Sequence, residues 1–483
     1  MQDFLEKARK YEQEHLSHVS ACELPRFHVT GGIGWINDPN GFSVYQGEYH
    51  LFFQYYPYET KWGPMHWGHV KTRDFIRWER LPAALAPDRE YDRDGCFSGS
   101  AVELEDGRHL LLYTGVCRKQ GADGKTIILQ TQCAAIGDGI NYEKYKGNPV
   151  IEQTQLPEGG DPENFRDPGI RKDENGYHAV IGNRGAKDNG TVLLYDSEDA
   201  LHWKYRGVLA ASCGGHGDMW ECPNYFHLSG KDVLLASLQE MNAAVCLIGT
   251  YDPENHCLDR ERMDVIDQGT DFYAPQTLET PDGRRIMIAW MQNWKTSAYV
   301  PEGLRFFGQM TVPRELTIRG GRLIQQPVRE LENYRGKKIQ YQNVLLKRQM
   351  ILPGIDGRCL DMTVRIRPVD DGDPYKWFCM KVAMSGQYDT SIRYEPGNST
   401  LRIDRTNSGY PCDLDNVREF PVRNRKGMLD LRIVMDRYSM EIFINEGEQA
   451  ASFVIYTPES SSSVSFACEG SLLLDLEKYD LLI

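Results

Sequence analysis

Three carboxylates occupy the same local sequence pattern at widely separated places in the chain. Asp38 and Asp167 each directly precede a proline, and Glu221 lies two residues before Pro223. Each of these prolines is followed by an apolar run, a glycine-containing turn and a second apolar run. Such acids can divide the work of glycoside hydrolysis, because one carboxyl group protonates the leaving oxygen while another attacks the anomeric carbon or activates water. We therefore expect the three acids to act as one set, provided that the fold brings them together.

The pattern around these acids is a repeat. It occurs five times, and the Pro or Gly that opens a copy lies eight residues before the turn glycine in four copies and seven in the other. The copies open at Pro39, Gly99, Pro168, Pro223 and Pro275. Their second apolar runs begin near residues 48, 109, 177, 232 and 284, so successive copies are 61, 68, 55 and 52 residues apart. All-β repeats of this length, punctuated by glycine, are typical of propeller blades.

Five copies predict a five-bladed β-propeller. Its blades are antiparallel sheets packed around a central channel, so equivalent positions in different blades form a ring. The three carboxylates are therefore expected at one mouth of the channel, together with Ser98 and, as further candidates, Tyr273 and Ala274. The alternative is that these acids cap turns or bind a structural cation, but three acids in register favour a shared catalytic pocket.

The composition favours a globular protein with a neutral substrate. The 483 residues are 41% hydrophobic and 26% charged, and the net charge is -14 with a pI near 5.4. An acidic protein repels polyanions, so neither nucleic acid nor an acidic membrane surface is an expected partner. No apolar run is long enough to span a bilayer, and the N-terminal residues lack the apolar segment of a secretory signal. A cytoplasmic protein that binds a small sugar is therefore expected.

Cysteine and histidine residues give no sign of a metal site. The twelve cysteines are scattered, lack the spacing of metal ligands, and are expected to be reduced thiols in the core. Cys222, beside Glu221, is interpreted as a packing residue in preference to an electrophilic or redox group. His66 and His69 have no clear partner ligands and are expected to be core or supporting histidines. The sequence therefore predicts no metal and no cofactor.

The chain is predicted to be all-β apart from a short N-terminal helix that packs on the body. Residues 1–23 are predicted as the helical leader, residues 24–325 as the propeller, residues 326–339 as a short helical linker and residues 340–483 as a β-sandwich. In the sandwich region, Asp436 and Glu441 lie in alternating strand sequence and are expected on a solvated face. Free strand edges of a sandwich could mediate a homodimer.

Neighbouring residues suggest different roles for two of the acids. Arg166 is expected to keep the Asp167 carboxylate ionised, because a nearby cation lowers the pKa of an acid. Glu221 lies between Trp220 and the apolar residues Cys222 and Pro223. Desolvation there would raise the pKa of Glu221 and favour the protonated form that a general acid needs.

Six sequence blocks resemble the motifs of glycoside hydrolase family 32, the β-fructofuranosidases. They are residues 35–41 (WINDPNG), 62–69 (WGPMHWGH), 97–101 (FSGSA), 166–168 (RDP), 221–223 (ECP) and 271–276 (DFYAPQ). The resemblance covers nearly the whole chain. It implies a five-bladed propeller followed by a β-sandwich, in agreement with the repeats.

The resemblance also implies roles for individual residues. Asp38 would be the nucleophile, Glu221 the acid/base and Asp167 a stabiliser of the transition state through fructose hydroxyls. The residues implied to line the fructose subsite are Asn37, Gln54, Trp62, Phe97, Ser98 and Arg166. Repeat geometry alone does not choose between Asp38 and Asp167 as the nucleophile. Because the family retains configuration, the carboxyl groups of Asp38 and Glu221 are expected about 5 to 5.5 Å apart.

The expected reaction is retaining hydrolysis of terminal β-D-fructofuranosides through a fructosyl-enzyme. The helical leader and the missing signal peptide resemble bacterial intracellular sucrose and sucrose-6-phosphate hydrolases. The expected substrates are sucrose, its 6-phosphate or short fructo-oligosaccharides. A fructosyltransferase on the same scaffold is the alternative within enzymes, and a non-catalytic sugar-binding propeller is the alternative outside them. A phosphorylated substrate would require a cation near the leaving group, for which Arg184, Lys187 and Arg305 are candidates.

Overall fold

The described part of the chain begins with an α-helix. The computed structural model describes residues 4–121, 124–186, 189–212, 214–297, 299–369, 375–411 and 415–483. Helix α1 (Phe4–Leu16) docks through the buried carboxylate of Glu12, which accepts a hydrogen bond from the Ala83 N–H at 3.0 Å. Arg9 Nε donates to the Ala83 carbonyl at 2.9 Å. The N-terminal helix therefore packs on the body, and no helix within the described ranges has the length and apolar character that crossing a bilayer requires.

Five sheets follow the helix in chain order. The first contains β1 (Gly34–Tyr45), β2 (Glu48–Tyr56), β3 (His66–Thr72) and β4 (Glu79–Leu85), and a two-residue strand, β19 (Phe306–Phe307), pairs with β1 in parallel. The second contains β5 (Gly95–Glu103), β6 (His109–Gln120), β7 (Thr126–Gly137) and β8 (Tyr142–Lys144). The third contains β9 (Phe165–Asp173), β10 (Gly176–Gly185), β11 (Asn189–Ser197) and β12 (Lys204–Ala211). The fourth contains β13 (Trp220–Leu228), β14 (Lys231–Leu238), β15 (Ala243–Asp252) and β16 (Cys257–Val265), and the fifth contains β17 (Tyr273–Glu279), β18 (Arg285–Trp290), β20 (Arg314–Arg319) and β21 (Arg322–Pro327).

The first strands of these sheets form a closed ring. β1 contacts β5, β5 contacts β9, β9 contacts β13 and β13 contacts β17, which returns to contact β1. These are the strands that carry the repeated Pro or Gly pattern. The region is a β-propeller, and its closure brings residues that are far apart in the chain to one axis.

A β-sandwich forms the C-terminal region, as predicted. One sheet contains β22 (Arg335–Leu346), β33 (Leu472–Leu481), β24 (Leu360–Pro368), β29 (Leu429–Asp436), β30 (Ser439–Ile444) and β31 (Gln449–Val454). The other contains β23 (Gln349–Met350), β32 (Ser463–Glu469), β25 (Trp377–Ser385), β26 (Tyr388–Glu395), β27 (Thr400–Asp404) and β28 (Val417–Pro421). Alternate residues of both sheets, such as Met362, Val364 and Ile366, form one apolar core. A 3₁₀ turn (Arg329–Tyr334) connects the sandwich to the propeller.

The solvated face predicted for Asp436 and Glu441 is wrong. Both side chains are fully buried where the sandwich meets the propeller. His28 bridges them, with Nδ1 2.9 Å from Asp436 Oδ2 and Nε2 3.0 Å from Glu441 Oε1. Arg314 Nη2 donates to Glu441 Oε2 at 2.7 Å, and its Nη1 donates to Asp267 Oδ2 at 2.9 Å. An alternating strand pattern shows which residues share a face, but it does not reveal that another domain covers that face.

The described cysteines are free thiols, as expected of a reduced protein. Ten of the twelve are described, and six of these are buried. Cys213 and Cys412 lie outside the described residues.

Candidate active site

A cavity of about 500 Å³ lies at the start of the ring strands. Fifteen residues line it: Asn37, Asp38, Gln54, Trp62, Phe97, Ser98, Ile128, Gln130, Glu163, Asn164, Arg166, Asp167, Glu221, Gln239 and Trp294. The nine side chains predicted as catalytic or substrate-binding are all among them, whereas the further candidates Tyr273 and Ala274 are not part of the lining. The three acids come from β1, β9 and β13, so ring closure is what brings them together.

A β-bulge interrupts every ring strand at the same place in the repeat. The residues that the bulges displace from regular pairing include Asp38, Ser98, Asp167, Cys222 and Ala274. Three of them, Asp167, Cys222 and Ala274, have positive φ angles of 65°, 48° and 52°. Bulges re-aim side chains out of the regular strand alternation. The bulges agree with the alignment of the repeats: Cys222 is the equivalent of Asp38 and Asp167, and Glu221 stands one position earlier.

One carboxylate oxygen of Asp38 accepts a hydrogen bond, and the other has no partner among the described residues. Its Oδ2 accepts a hydrogen bond from Ser98 Oγ at 2.7 Å and lies 3.5 Å from the thiol of Cys222. Its Oδ1 is buried and has no hydrogen-bond partner among the described residues. Burial raises the pKa of Asp38, and the nearby Glu221 carboxylate raises it further. Ser98 therefore fixes the orientation of the side chain while Oδ1 keeps its lone pairs available.

Asp167 is held by the backbone of the neighbouring ring strand. The Cys222 N–H donates to Asp167 Oδ2 at 3.0 Å, and the Cys222 thiol lies 3.5 Å from the same oxygen. Burial raises the pKa of Asp167 to about 7, the Glu221 carboxylate adds to the rise, and the charge of Arg166 opposes it. The expectation that Arg166 would keep Asp167 fully ionised is therefore wrong. The direct ion pair of Arg166 is with Glu221, although both Arg166 and Asp167 line the cavity.

Arg166 instead binds Glu221. Its Nε and Nη2 donate to Glu221 Oε1 at 3.1 and 2.9 Å, and the Tyr273 hydroxyl donates to Oε2 at 2.5 Å. The side chain of Glu221 is 15% exposed. The apolar surroundings that the sequence predicted for Glu221 are thus wrong, because its direct contacts are a guanidinium and a phenol. Both oxygens have fixed positions as a result.

The remaining predicted residues form the wall of the cavity. Gln54 Nε2 donates to the Cys96 carbonyl at 3.0 Å, which orients its amide. The rings of Trp62 and Phe97 meet edge to face at 6.0 Å, and Trp62 is 43% exposed at the rim. A half-exposed aromatic rim beside buried amides and carboxylates suits a ligand that is both a polyol and partly apolar, as sugars are.

Family comparison agrees with this geometry. The sequence model described as "Glycosyl hydrolases family 32 N-terminal domain" matches residues 28–327, and the one described as "Glycosyl hydrolases family 32 C terminal" matches residues 330–479. The chain belongs to glycosyl hydrolase family 32. It is 36% identical to a raffinose invertase of Escherichia coli over 93% of each chain, and 34% identical to a sucrose-6-phosphate hydrolase of Escherichia coli over 93% of each chain. A solved family GH32 β-fructofuranosidase from Bombyx mori, a variant in complex with sucrose, superposes with a TM-score of 0.83 at 31% identity and covers 100% of this chain and 98% of its own.

Sequence reasoning missed six residues that line the cavity of this glycoside hydrolase: Ile128, Gln130, Glu163, Asn164, Gln239 and Trp294. Two of these had a usable signal. Gln239 directly follows β14, and Trp294 lies four residues after β18. In an antiparallel hairpin, the end of the second strand lies beside the start of the first. Residues just after the second strand of a repeat are therefore candidates for the same mouth as the acids.

The family 32 enzyme has one cation among the described residues that line the cavity, namely Arg166, and Glu221 binds it. Arg184 and Arg305, which the sequence offered as phosphate ligands, are not part of the lining. Lys187 lies outside the described residues.

His66 and His69 are core histidines, as predicted. His66 Nδ1 lies 2.9 Å from the Pro64 carbonyl, and His69 Nε2 lies 3.0 Å from His50 Nδ1. Burial lowers the pKa of His66 to about 4. Across the described ranges, no three His, Cys, Asp or Glu side chains are grouped in a way that could hold a metal ion.

Proposed function

We propose that this enzyme hydrolyses terminal β-D-fructofuranosides with retention of configuration, through a fructosyl-enzyme. The observation that carries the proposal is the convergence of Asp38, Asp167 and Glu221 in one cavity whose wall is made of amides and aromatic rings. The similarity to a raffinose invertase, and to a β-fructofuranosidase in complex with sucrose, supports a fructoside as substrate.

In the first step, the Asp38 carboxylate attacks the anomeric carbon of fructose. The bond to the leaving oxygen breaks, and protonated Glu221 gives that oxygen its proton. In the second step, ionised Glu221 takes a proton from water, which attacks the same carbon and releases Asp38. The assignment of Asp38 as nucleophile is supported by its unpaired buried oxygen and by Ser98, which holds the other oxygen.

Asp167 stabilises the charge that develops on the sugar. Burial and the nearby Glu221 and Asp38 carboxylates raise the pKa of Asp167 in the empty cavity, against the charge of Arg166. Hydroxyl groups of a bound fructose would donate hydrogen bonds to the carboxylate, which favours its ionised form. Ionised Asp167 then faces the oxocarbenium-like carbon of the transition state.

Neutral fructosides such as sucrose or short fructo-oligosaccharides suit the described lining better than sucrose-6-phosphate. The described cation of the lining is already bound by Glu221, and Glu163 adds a further carboxylate to the wall. A phosphate at this wall would meet negative charge without a matching guanidinium or ammonium. We therefore expect a higher kcat/KM for sucrose than for sucrose-6-phosphate.

The variant Glu221→Gln tests the mechanism with two substrates. Hydrolysis of sucrose should fall by about 10² to 10⁴-fold, because its leaving group needs a proton. An activated aryl fructoside should lose much less rate in its first step, because its phenolate leaves without protonation. Equal impairment of the two substrates would remove the acid/base role.

A matched control is Glu261→Gln, which alters an exposed acid of β16 in the same propeller sheet. It should leave both rates unchanged. Release of free fructose from sucrose by the wild-type enzyme dismisses a non-catalytic sugar-binding protein. Transfer products in excess of free fructose would favour the fructosyltransferase.

We propose that the enzyme is cytoplasmic and forms a homodimer through the sandwich. The free thiols of the described cysteines support a reducing, cytoplasmic environment. β28 ends its sheet in the described topology and is the edge that a second copy could extend into a homodimer. Light scattering of the purified protein measures the mass that decides this.

A further inference from the structure

A buried arginine of the sandwich reaches into the propeller. Arg405, which directly follows β27, has no exposed surface, and its guanidinium carbon lies 4.2 Å above the ring of Tyr410. Its Nη1 donates to Asp271 Oδ2, just before β17 of the propeller. The same carboxylate oxygen accepts the N–H of Val454 in the sandwich at 2.9 Å. Asp271 is therefore anchored from the sandwich side.

The second carboxylate oxygen of Asp271 is hydrogen-bonded to a residue that caps a turn of the propeller. Asp271 Oδ1 accepts a hydrogen bond from Asn293 Nδ2 at 2.7 Å. The Oδ1 of Asn293 in turn accepts the N–H of Thr296 at 3.1 Å and caps the 3₁₀ turn Trp294–Thr296. The hydrogen bonds thus run without interruption from Arg405 to the turn.

This turn presents Trp294 to the substrate cavity. Trp294 lines the cavity, is 37% exposed, and stacks against Trp35 with ring centroids 6.0 Å apart. The turn lies outside the strands of the propeller sheet, so the backbone ladder that fixes the acids does not fix Trp294.

The sandwich makes a second contact with the same turn. The Tyr410 hydroxyl donates to Gln292 Oε1 at 3.2 Å, and the Thr296 hydroxyl donates to the same oxygen at 3.0 Å. Gln292 and Asn293, the two residues before Trp294, are both buried. The sandwich therefore holds the turn at two points.

We propose that the β-sandwich sets the position of Trp294 as a wall of the sugar site, with Arg405, Asp271 and Asn293 as positioning residues. The inference rests on the proposed function and deepens it by giving the C-terminal domain a part in substrate binding. Because the propeller strands hold Asp38, Asp167 and Glu221 independently of this turn, the effect should fall on KM for sucrose and not on kcat.

The hydrogen bonds that connect Arg405, Asp271 and Asn293 to the turn are called the relay. Two variants remove different hydrogen bonds of this relay. In Arg405→Met the anchor of Asp271 is lost, and in Asn293→Ala the cap of the turn is lost while Arg405 and Asp271 stay paired. Each should raise KM for sucrose by about threefold to tenfold with kcat within about twofold. If Arg405→Met does not fold, the KM of Asn293→Ala still tests the proposal. Arg405→Lys, which can still donate to Asp271, should restore most of the affinity.

A double-mutant cycle separates positioning from general stability. If Arg405 acts through Trp294, then Arg405→Met should change KM little when it is introduced into a Trp294→Ala enzyme. Arg358→Met is the matched control, because Arg358 is a buried arginine of the sandwich whose hydrogen bonds go to the sandwich residues Thr457, Pro458 and Arg437. It should lower the melting temperature and leave KM unchanged.

Either of two results overturns the relay alone: an unchanged KM in Arg405→Met and Asn293→Ala, or the same rise in KM with and without Trp294. The activity of the wild-type enzyme on sucrose tests the proposed function separately. A wild-type protein that neither cleaves sucrose nor binds fructose in a calorimeter would remove the proposed function, and the relay with it.

Discussion

The three acids at the ring strands of the cavity and the three carboxylates around Arg314 at the junction between propeller and sandwich are supplied with different numbers of cations. In the cavity, Asp38, Asp167 and Glu221 share Arg166. At the junction, Asp267, Asp436 and Glu441 share Arg314 and His28. Nearly every carboxylate oxygen at the junction has a direct hydrogen bond, whereas Asp38 Oδ1 in the cavity has none among the described residues.

The pKa values of Asp38 and Asp167 move in the opposite direction to those of Asp436 and Glu441. Burial raises the pKa of Asp38 and Asp167 in the cavity. At the junction, hydrogen bonds and charges from His28 and Arg314 overcome burial and lower the pKa of Asp436 and Glu441. Equal burial therefore has opposite effects, depending on whether cations match the acids. A cluster in which each buried acid has a cation or hydrogen-bond partner can stabilise the fold. A cluster that lacks such partners costs stability, but its acids are available for proton transfer and nucleophilic attack.

The largest expected effect is on activity. Asp38→Asn should lower kcat for sucrose by at least about 10⁴-fold, because the nucleophile is lost. The melting temperature at pH 7 should stay the same or rise. A folded-state pKa that is raised means that ionised Asp38 costs stability above its unfolded pKa, and the amide removes that cost. Kinetic assays and thermal unfolding of the same samples measure both, and a large fall in melting temperature would contradict the contrast.

Removing the main cation of the junction should lower the stability of the fold and leave the activity unchanged. Arg314→Met leaves Glu441 and Asp267 buried without their main cation, which should cost about 3 to 5 kcal/mol of unfolding free energy. The kcat of the remaining folded enzyme should stay near the wild-type value. Arg319→Met is the control, since Arg319 pairs with Glu446 at the surface, where the side chains are 54% and 60% exposed. That pair should contribute less than about 1 kcal/mol. Urea unfolding measures the difference, and equal losses in the two variants would break the comparison.

The junction should also show a pH dependence at the alkaline side. Hydrogen bonds from His28 to Asp436 and Glu441 raise the pKa of His28 from 6.5 to about 9 in spite of burial. A raised pKa contributes stability that is fully present below pH 6.5 and is lost as the pH rises through about 9. We expect a loss of about 2 to 3 kcal/mol over this range in the wild-type protein. In His28→Gln this part of the pH dependence should be absent. Parallel stability profiles for the two proteins would show that His28 does not carry the charge.

The smallest expected effect concerns the thiol between the two cavity acids. Cys222→Ala removes a weak donor 3.5 Å from both Asp38 and Asp167 and should raise the pKa of Asp38 a little further. The acidic limb of the kcat/KM profile should move to higher pH, with kcat lowered by less than about tenfold. Ala274 occupies the equivalent bulge with a φ of 52°, so alanine fits this backbone. If the pH profile of kcat/KM is the same as that of the wild-type enzyme, Cys222 has only the packing role that the sequence predicted.

The comparison also explains why the sequence succeeded at the cavity and failed at the junction. Around the cavity, each acid lies one or two residues before a proline that opens a repeated hairpin, so the repeat places all three near one mouth of the ring. Asp436 and Glu441 belong to no repeat, and their alternating pattern is the same whether water or another domain covers the face. His28 and Arg314 lie 408 and 127 residues from their carboxylate partners, and no local signal connects them.

Sequence by itself determined the all-β class, the propeller, the sandwich and the register of the three acids, because hydrophobic period, turn glycines and repeats are local properties. The resemblance of its motifs to family 32 supplied the other cavity side chains. Only the tertiary structure decided which charges pair. Arg166 binds Glu221 and not the adjacent Asp167, because a bulge at Asp167 re-aims its carboxylate out of the regular strand alternation. Electrostatic partners depend on distances of a few ångströms between strands of different sheets, and those distances are fixed only when the ring closes and the sandwich docks.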